Sequence, residues 1–147
     1  MESELNMSGA AQIRVLSVDD HPVLREGIAM VIRSQPDMLL VAQASNGREA
    51  IRYLREHIPD VTLMDLRLPD MSGIDATISI RSEFLEARVI ILTTFADNVE
   101  IQRAFKAGAR AYVLKSMPPR ELLDVIRQVH AGAKDISPGN TGTGKNT

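Results

Sequence analysis

Five polar side chains in this sequence have the types and positions that phosphoryl chemistry needs. Asp19 and Asp20 follow the apolar run from Val15 to Val18 in "VLSVDDHP", Asp65 follows "VTLM", Thr93 follows "RVIIL" and Lys115 follows "AYVL". Singly, each has an ordinary structural explanation as a helix cap, a turn residue or a solvated charge. Together they supply carboxylate metal ligands, a hydroxyl donor and a cation around one central carboxylate, Asp65. The adjacent acidic pair needs a reason, because two carboxylates about 5 Å apart repel by roughly 3 kcal/mol at an effective dielectric near 20. A divalent cation provides one. Its two positive charges and that of Lys115 cancel the three negative charges of Asp19, Asp20 and Asp65. Hard oxygen ligands with room left for water and phosphate favour Mg²⁺, with Mn²⁺ as a substitute.

These residues must be delivered to one place by the elements that precede them. Strand-length apolar segments begin at Ile13 ("IRVLSV"), Leu39 ("LLVAQA"), Val61 ("VTLM"), Arg88 ("RVIIL") and Ala111 ("AYVL"). Between them lie stretches of helical period. The first carries Leu24, Ile28, Val31 and Ile32 on one face and stops before Pro36, and the last carries Leu122, Val125, Ile126 and Val129 and stops at Gly132. "NGRE" and "DNVE" set Asn46 and Asp97 three residues before Glu49 and Glu100, a spacing that satisfies the free amides at a helix start. The third helix, around Ile74 and Ile78, has a β-branched composition and rests on the alternation around it. Five strands alternating with five helices predict an α/β domain, a doubly wound parallel sheet with helices on both faces. Such sheets bind ligands beyond the carboxyl ends of their strands, where the five polar residues lie.

Bulk properties bound the function. The chain has 147 residues, enough for one ordinary domain, with a formal net charge of -2 that gives no general attraction to nucleic acid or anionic membrane. It contains no cysteine, which excludes a disulfide scaffold or thiolate metal site. "MESELNMSGAAQ" has no signal-peptide core, and no apolar run approaches a membrane span, so a cytoplasmic protein is expected. Residues 1–11 read as a flexible tail, 12–131 as the folded domain, and 132–147 as a flexible tail or truncated linker.

The segments "SVDDHP", "LMDLRLPDMSGIDA", "ILTTFADN" and "KAGARAYVLKS" resemble the receiver domain of two-component response regulators, over about residues 12–131. "DDHP" and "IRQVHAG" are most similar to the LuxR/NarL-like branch, whose members carry a helix-turn-helix after the receiver. The resemblance implies a flavodoxin-like fold with strand order 2-1-3-4-5. It also implies that Asp65 accepts a phosphoryl group from a phosphohistidine on a sensor histidine kinase. Asp20 binds Mg²⁺ directly, Asp19 through water, and the main-chain carbonyl of Arg67 completes the protein ligands. Lys115 and Thr93 bind the phosphoryl oxygens, and Tyr112 is the switch aromatic that moves inward with the Thr93 hydroxyl. From its residues alone, Tyr112 is equally a packing residue of an edge strand. Pro69 and Gly73 match the loop after the acceptor. The implied role is a signalling phosphoacceptor, not an enzyme acting on other substrates. Its partners are the kinase and a second copy of the chain on phosphorylation, and its output is transcription through a DNA-binding domain in a longer parent. This chain itself is expected to bind neither nucleic acid nor membrane.

Other readings compete. An aspartate-nucleophile phosphatase also uses Asp, Thr, Lys and Mg²⁺, but Arg67 occupies its second acidic place. A phosphorylation-independent interaction domain of receiver ancestry is the other alternative. His21 is a candidate ligand, although beside Pro22 a helix-start role is preferred. His57 and His130 lie near helix C-termini and read as structural. "GNTGTGKN", from Gly139 to Asn146, meets part of a P-loop but lacks its Ser or Thr and its strand and helix. "KSMPP" departs from the Lys-Pro common to receivers and leaves the peptide geometry after Lys115 open.

Overall fold

The computed structural model describes residues 11–138. The readings made on residues 1–10 and on the Gly139–Asn146 motif lie outside the described residues. Strands β1 (Ile13–Val18), β2 (Met38–Ala44), β3 (Val61–Asp65), β4 (Val89–Thr93) and β5 (Ala111–Leu114) alternate with five helices. These are α1 (Pro22–Arg33), α2 (Gly47–His57), α3 (Gly73–Glu83), α4 (Asn98–Lys106) and α5 (Pro119–His130). All neighbouring strands run parallel, as the alternation predicts, in the order β2-β1-β3-β4-β5 that the family resemblance implies.

The sheet is covered on both faces. β3 and β4 are buried at every position, which is why they read as mainly apolar runs, interrupted only by Thr62 before the polar residues at their ends. On one face Val15, Leu63, Ile90 and Val113 pack with Ile28 and Ile32 of α1 and Leu122, Ile126 and Val129 of α5. On the other, Leu16, Met64, Ile91 and Tyr112 pack with Leu54 of α2, Ile74 and Ile80 of α3 and Ala104 of α4. Alternation of side chains along each strand assigns these two sets to opposite faces.

Helix starts follow the sequence signals. The Asn46 side chain accepts from the Glu49 amide at 2.8 Å, and Asp97 accepts from the amides of Val99 at 2.8 Å and Glu100 at 3.3 Å. The third helix, weakest in the sequence, is set by Ser72 accepting from the Asp75 amide at 3.0 Å and by its buried Ile74, Ala76 and Ile80. No described peptide bond is cis, which answers the question raised by "KSMPP". Among the described residues no helix is long and apolar enough to cross a membrane.

The segment after Gly132 departs from the expected flexible tail. Ile136 forms a parallel bridge with Ala111, its carbonyl accepts from the Tyr112 amide at 2.8 Å, and its amide donates to Arg110 at 3.2 Å. Its side chain is 1 % exposed within the α1/α5 core. The physical reason is that β5 is an edge strand whose open backbone groups gain partners from this strap.

Candidate functional site

The strand order reverses between β1 and β3, and both strands end there in carboxylates. Asp19 continues the β1 ladder by donating its amide to the Ala44 carbonyl at 3.0 Å, which fixes its side chain beside Asp65 at the end of β3. Asp19 and Asp65 are 1 % and 2 % exposed, and Thr93, ending β4, is 3 % exposed. Lys115 follows β5 and is held by donation of its amide to the Thr93 carbonyl at 2.7 Å. Its Nζ reaches into the cleft, 3.1 Å from Asp65 Oδ2 and 3.3 Å from Asp19 Oδ2. Residues after β1 and β5 thus converge on the carboxylate that ends β3.

The electrostatics favour a cation. Burial raises the Asp65 carboxyl above its ordinary range; Lys115 opposes this and the neighbouring Asp19 reinforces it. One buried ammonium therefore does not fully compensate the acidic group. Oδ2 of Asp19, Oδ1 of Asp20 and Oδ2 of Asp65 are buried without an aligned hydrogen-bond donor. Together with the His21 ring nitrogen, one carboxylate oxygen from each lies within 4.8 Å of the others. Three carboxylates gathered around a single ammonium leave hard oxygen donors and negative charge in excess, which fits a divalent cation.

The other predicted residues are placed as follows. Arg67 sits two residues past Asp65, its amide donating to Asp65 Oδ1 at 3.3 Å, with its side chain exposed. Thr93 Oγ1 donates to the Phe95 carbonyl at 3.2 Å, so the hydroxyl is engaged by its own loop. Tyr112 is completely buried. Its hydroxyl lacks an aligned partner. Burial, and then the Glu100 carboxylate, push it above the usual phenol range, while Thr93 opposes them. Gly73 has no left-handed backbone requirement; a Cβ there would collide with the Asp65 carbonyl, so the reason for glycine is close approach rather than conformational freedom.

One feature escaped the sequence, and one was weighed there with the other alternative preferred. The first is Asp70, whose carboxylate accepts from the amides of Gly47 at 2.8 Å and Arg48 at 3.0 Å, pinning the loop after Asp65 to the start of α2. Burial alone would raise that carboxyl, but these amides together hold it below its ordinary range. No local pattern links residues so far apart in the chain. The second is His21. It occupies the N-cap position of α1, but its side chain makes no capping bond, against the preferred helix-start reading. Its ring instead turns into the cleft, with Nδ1 3.1 Å from Asp19 Oδ1. Adjacency to the acidic pair was the signal available. His57, by contrast, packs edge-on against Tyr53 at the end of α2.

Comparison with known proteins agrees with this geometry. Residues 15–127 match the response regulator receiver domain model. The chain is 36% identical over 126 residues to response regulator protein VraR of Staphylococcus aureus, an alignment covering 86% of this chain and 60% of that protein. It therefore spans about three-fifths of the length of the curated relatives it matches. A LuxR-family two-component response regulator from Aurantimonas sp. SI85-9A1 superposes with TM-score 0.83 at 41% identity, covering 88% of this chain and 92% of that one. The receiver domain of the putative response regulator NarL from Mycobacterium tuberculosis gives 0.80 at 29%, covering 83% and 98%. With five strands in this order and the acidic residues at their ends, the chain belongs to the response regulator receiver family, in its LuxR/NarL-like branch.

Proposed function

We propose that Asp65 is the phosphoacceptor of a two-component system and takes its phosphoryl group from the phosphohistidine of a sensor histidine kinase. The observation that carries this reading is the convergence of Asp19, Asp65 and Lys115, with Lys115 Nζ 3.1 Å from the acceptor carboxylate. An Asp65 oxygen attacks phosphorus, the P–N bond breaks, its electron pair returns to the imidazole, and an acyl phosphate forms. Lys115, already between Asp65 and Asp19, is placed to follow the transferred oxygens as negative charge moves onto them. Asp20, Asp65 and the Arg67 carbonyl would hold Mg²⁺, or Mn²⁺ in its place, with Asp19 reaching it through water. When bound, the metal neutralises phosphoryl oxygens during transfer.

The switch follows from the new charge. The Thr93 hydroxyl exchanges its weak bond to Phe95 for a phosphoryl oxygen, and Tyr112, packed behind it, registers the change on the face formed by α4, β5 and α5. That face carries partner docking or homodimerisation, and the output is transcriptional control exerted by a longer parent in the cytoplasm. The chain modifies itself rather than turning over substrates, and with a net charge of -2 it contacts no nucleic acid directly.

The test is intact-protein mass after treatment with acetyl phosphate and Mg²⁺. A single phosphoryl increment is expected, absent from Asp65→Asn and from a metal-free control. A folded wild type that gains no mass on any timescale accessible to rapid quenching would sink the reading.

A further inference from the structure

The imidazole of His21 shares the acidic cleft with Asp19, Asp20, Asp65 and Lys115. Its Nδ1 stands 3.1 Å from Asp19 Oδ1, 3.3 Å from Asp20 Oδ1 and 3.9 Å from Asp65 Oδ2. The start of α1 does not require this pose. The side chain makes no capping bond, and the main chain of His21 serves the helix on its own, with its carbonyl accepting from the Arg25 amide at 2.9 Å. The ring is otherwise open to solvent, its side chain 64% exposed. The ring is held toward the cleft by Asp19 Oδ1, which also accepts from the His21 amide at 2.8 Å, so its nitrogen is already aimed at the acids. The buried Oδ2 atoms of Asp19 and Asp65 have only the Lys115 ammonium, 3.3 Å and 3.1 Å away, to balance them.

We propose that His21 Nδ1 is a metal ligand alongside Asp19, Asp20 and Asp65, and that it tunes the site toward borderline divalent cations such as Ni²⁺ or Co²⁺. The inference rests on the reading of the acidic cleft as a cation site and deepens it. Neighbouring ligands about 2.1 Å from one octahedral ion are about 3 Å apart, the separation found from Nδ1 to the Asp19 and Asp20 oxygens. Carboxylates alone suit Mg²⁺ and Mn²⁺, whereas a neutral imidazole adds a donor that Ni²⁺ and Co²⁺ prefer. Mg²⁺ is indifferent to the loss of such a nitrogen, because water replaces it at little cost. His21 therefore separates the two classes of ion without being needed for the hard one.

The experiment is calorimetric titration of tag-free protein with Ni²⁺ and, separately, Mg²⁺. A His57→Gln/His130→Gln background leaves His21 as the sole imidazole, since the chain has three histidines. In that background His21→Asn and His21→Phe are each expected to lower Ni²⁺ affinity by roughly tenfold or more, with Mg²⁺ affinity held within about threefold. Circular dichroism checks that each variant is folded, and using two replacements guards against one that packs badly. Unchanged Ni²⁺ affinity, or equal losses for both ions, overturns the assignment of His21 while leaving the acidic site intact. Absence of Mg²⁺ binding in the parent, or binding insensitive to Asp20→Asn, overturns the cation site and the role of His21 with it.

Discussion

The amide of Tyr112 donates to the carbonyl of Ile136 at 2.8 Å, so the strand that carries the buried aromatic is tied to the segment following the last helix. Ile136 is itself 1 % exposed, packed in the core formed with α1 and α5. Truncating it removes buried methyl groups and leaves a cavity beside β5. Ile136→Ala is expected to cost about 2–5 kcal/mol in urea unfolding. A midpoint equal to that of the wild type would show that the strap is detached in solution.

The Tyr112 hydroxyl is buried without an aligned donor or acceptor, next to Thr93, whose own hydroxyl is engaged with Phe95. Deleting an unpaired buried hydroxyl removes a desolvation cost and little else. Tyr112→Phe is therefore expected to leave stability unchanged or to raise it by up to about 1 kcal/mol. A loss of that size in thermal or chemical unfolding would reveal a bond between the phenol and Thr93 in solution.

Asp65 is raised above its ordinary carboxyl range chiefly by burial, so the folded protein binds a proton there at a pH where the unfolded chain has released it. In that interval the contribution of this group to stability falls as pH rises. In EDTA at pH 7, Asp65→Asn should melt at a higher temperature than wild type, and the gap should close as pH drops below the ordinary carboxylate range. Mg²⁺ should narrow or reverse the gap by binding wild type preferentially. Equal melting temperatures at both pH values in EDTA would contradict a strained buried carboxylate.

A Cβ at Gly73 would press into the Asp65 carbonyl and the Met64 side chain. Gly73→Ala must displace the end of β3, at an expected cost of about 1–3 kcal/mol. Phosphorylation by acetyl phosphate should also slow, because the acceptor moves relative to Lys115. Wild-type rates and stability in this variant would show that the loop yields without moving Asp65.

Much of this protein was legible in its sequence because the physics involved is local. The mainly apolar runs of β3 and β4 marked buried strands, Asn46 and Asp97 marked helix starts, and Asp19, Asp65, Thr93 and Lys115 fell at strand ends, where a parallel sheet gathers its chemistry. What the tertiary structure alone decided depends on contacts between segments far apart in the chain. The Asp70 carboxylate reaches Gly47 and Arg48 across 22 or more positions, Ile136 finds the open edge of β5, and Gly73 answers to the carbonyl of Asp65. The direction of the His21 ring belongs to the same group. The sequence set it beside two carboxylates and a proline, and its turn into the cleft follows the Asp19 carboxylate, 3.1 Å from Nδ1, which pairing with the Ala44 carbonyl of β2 holds in place.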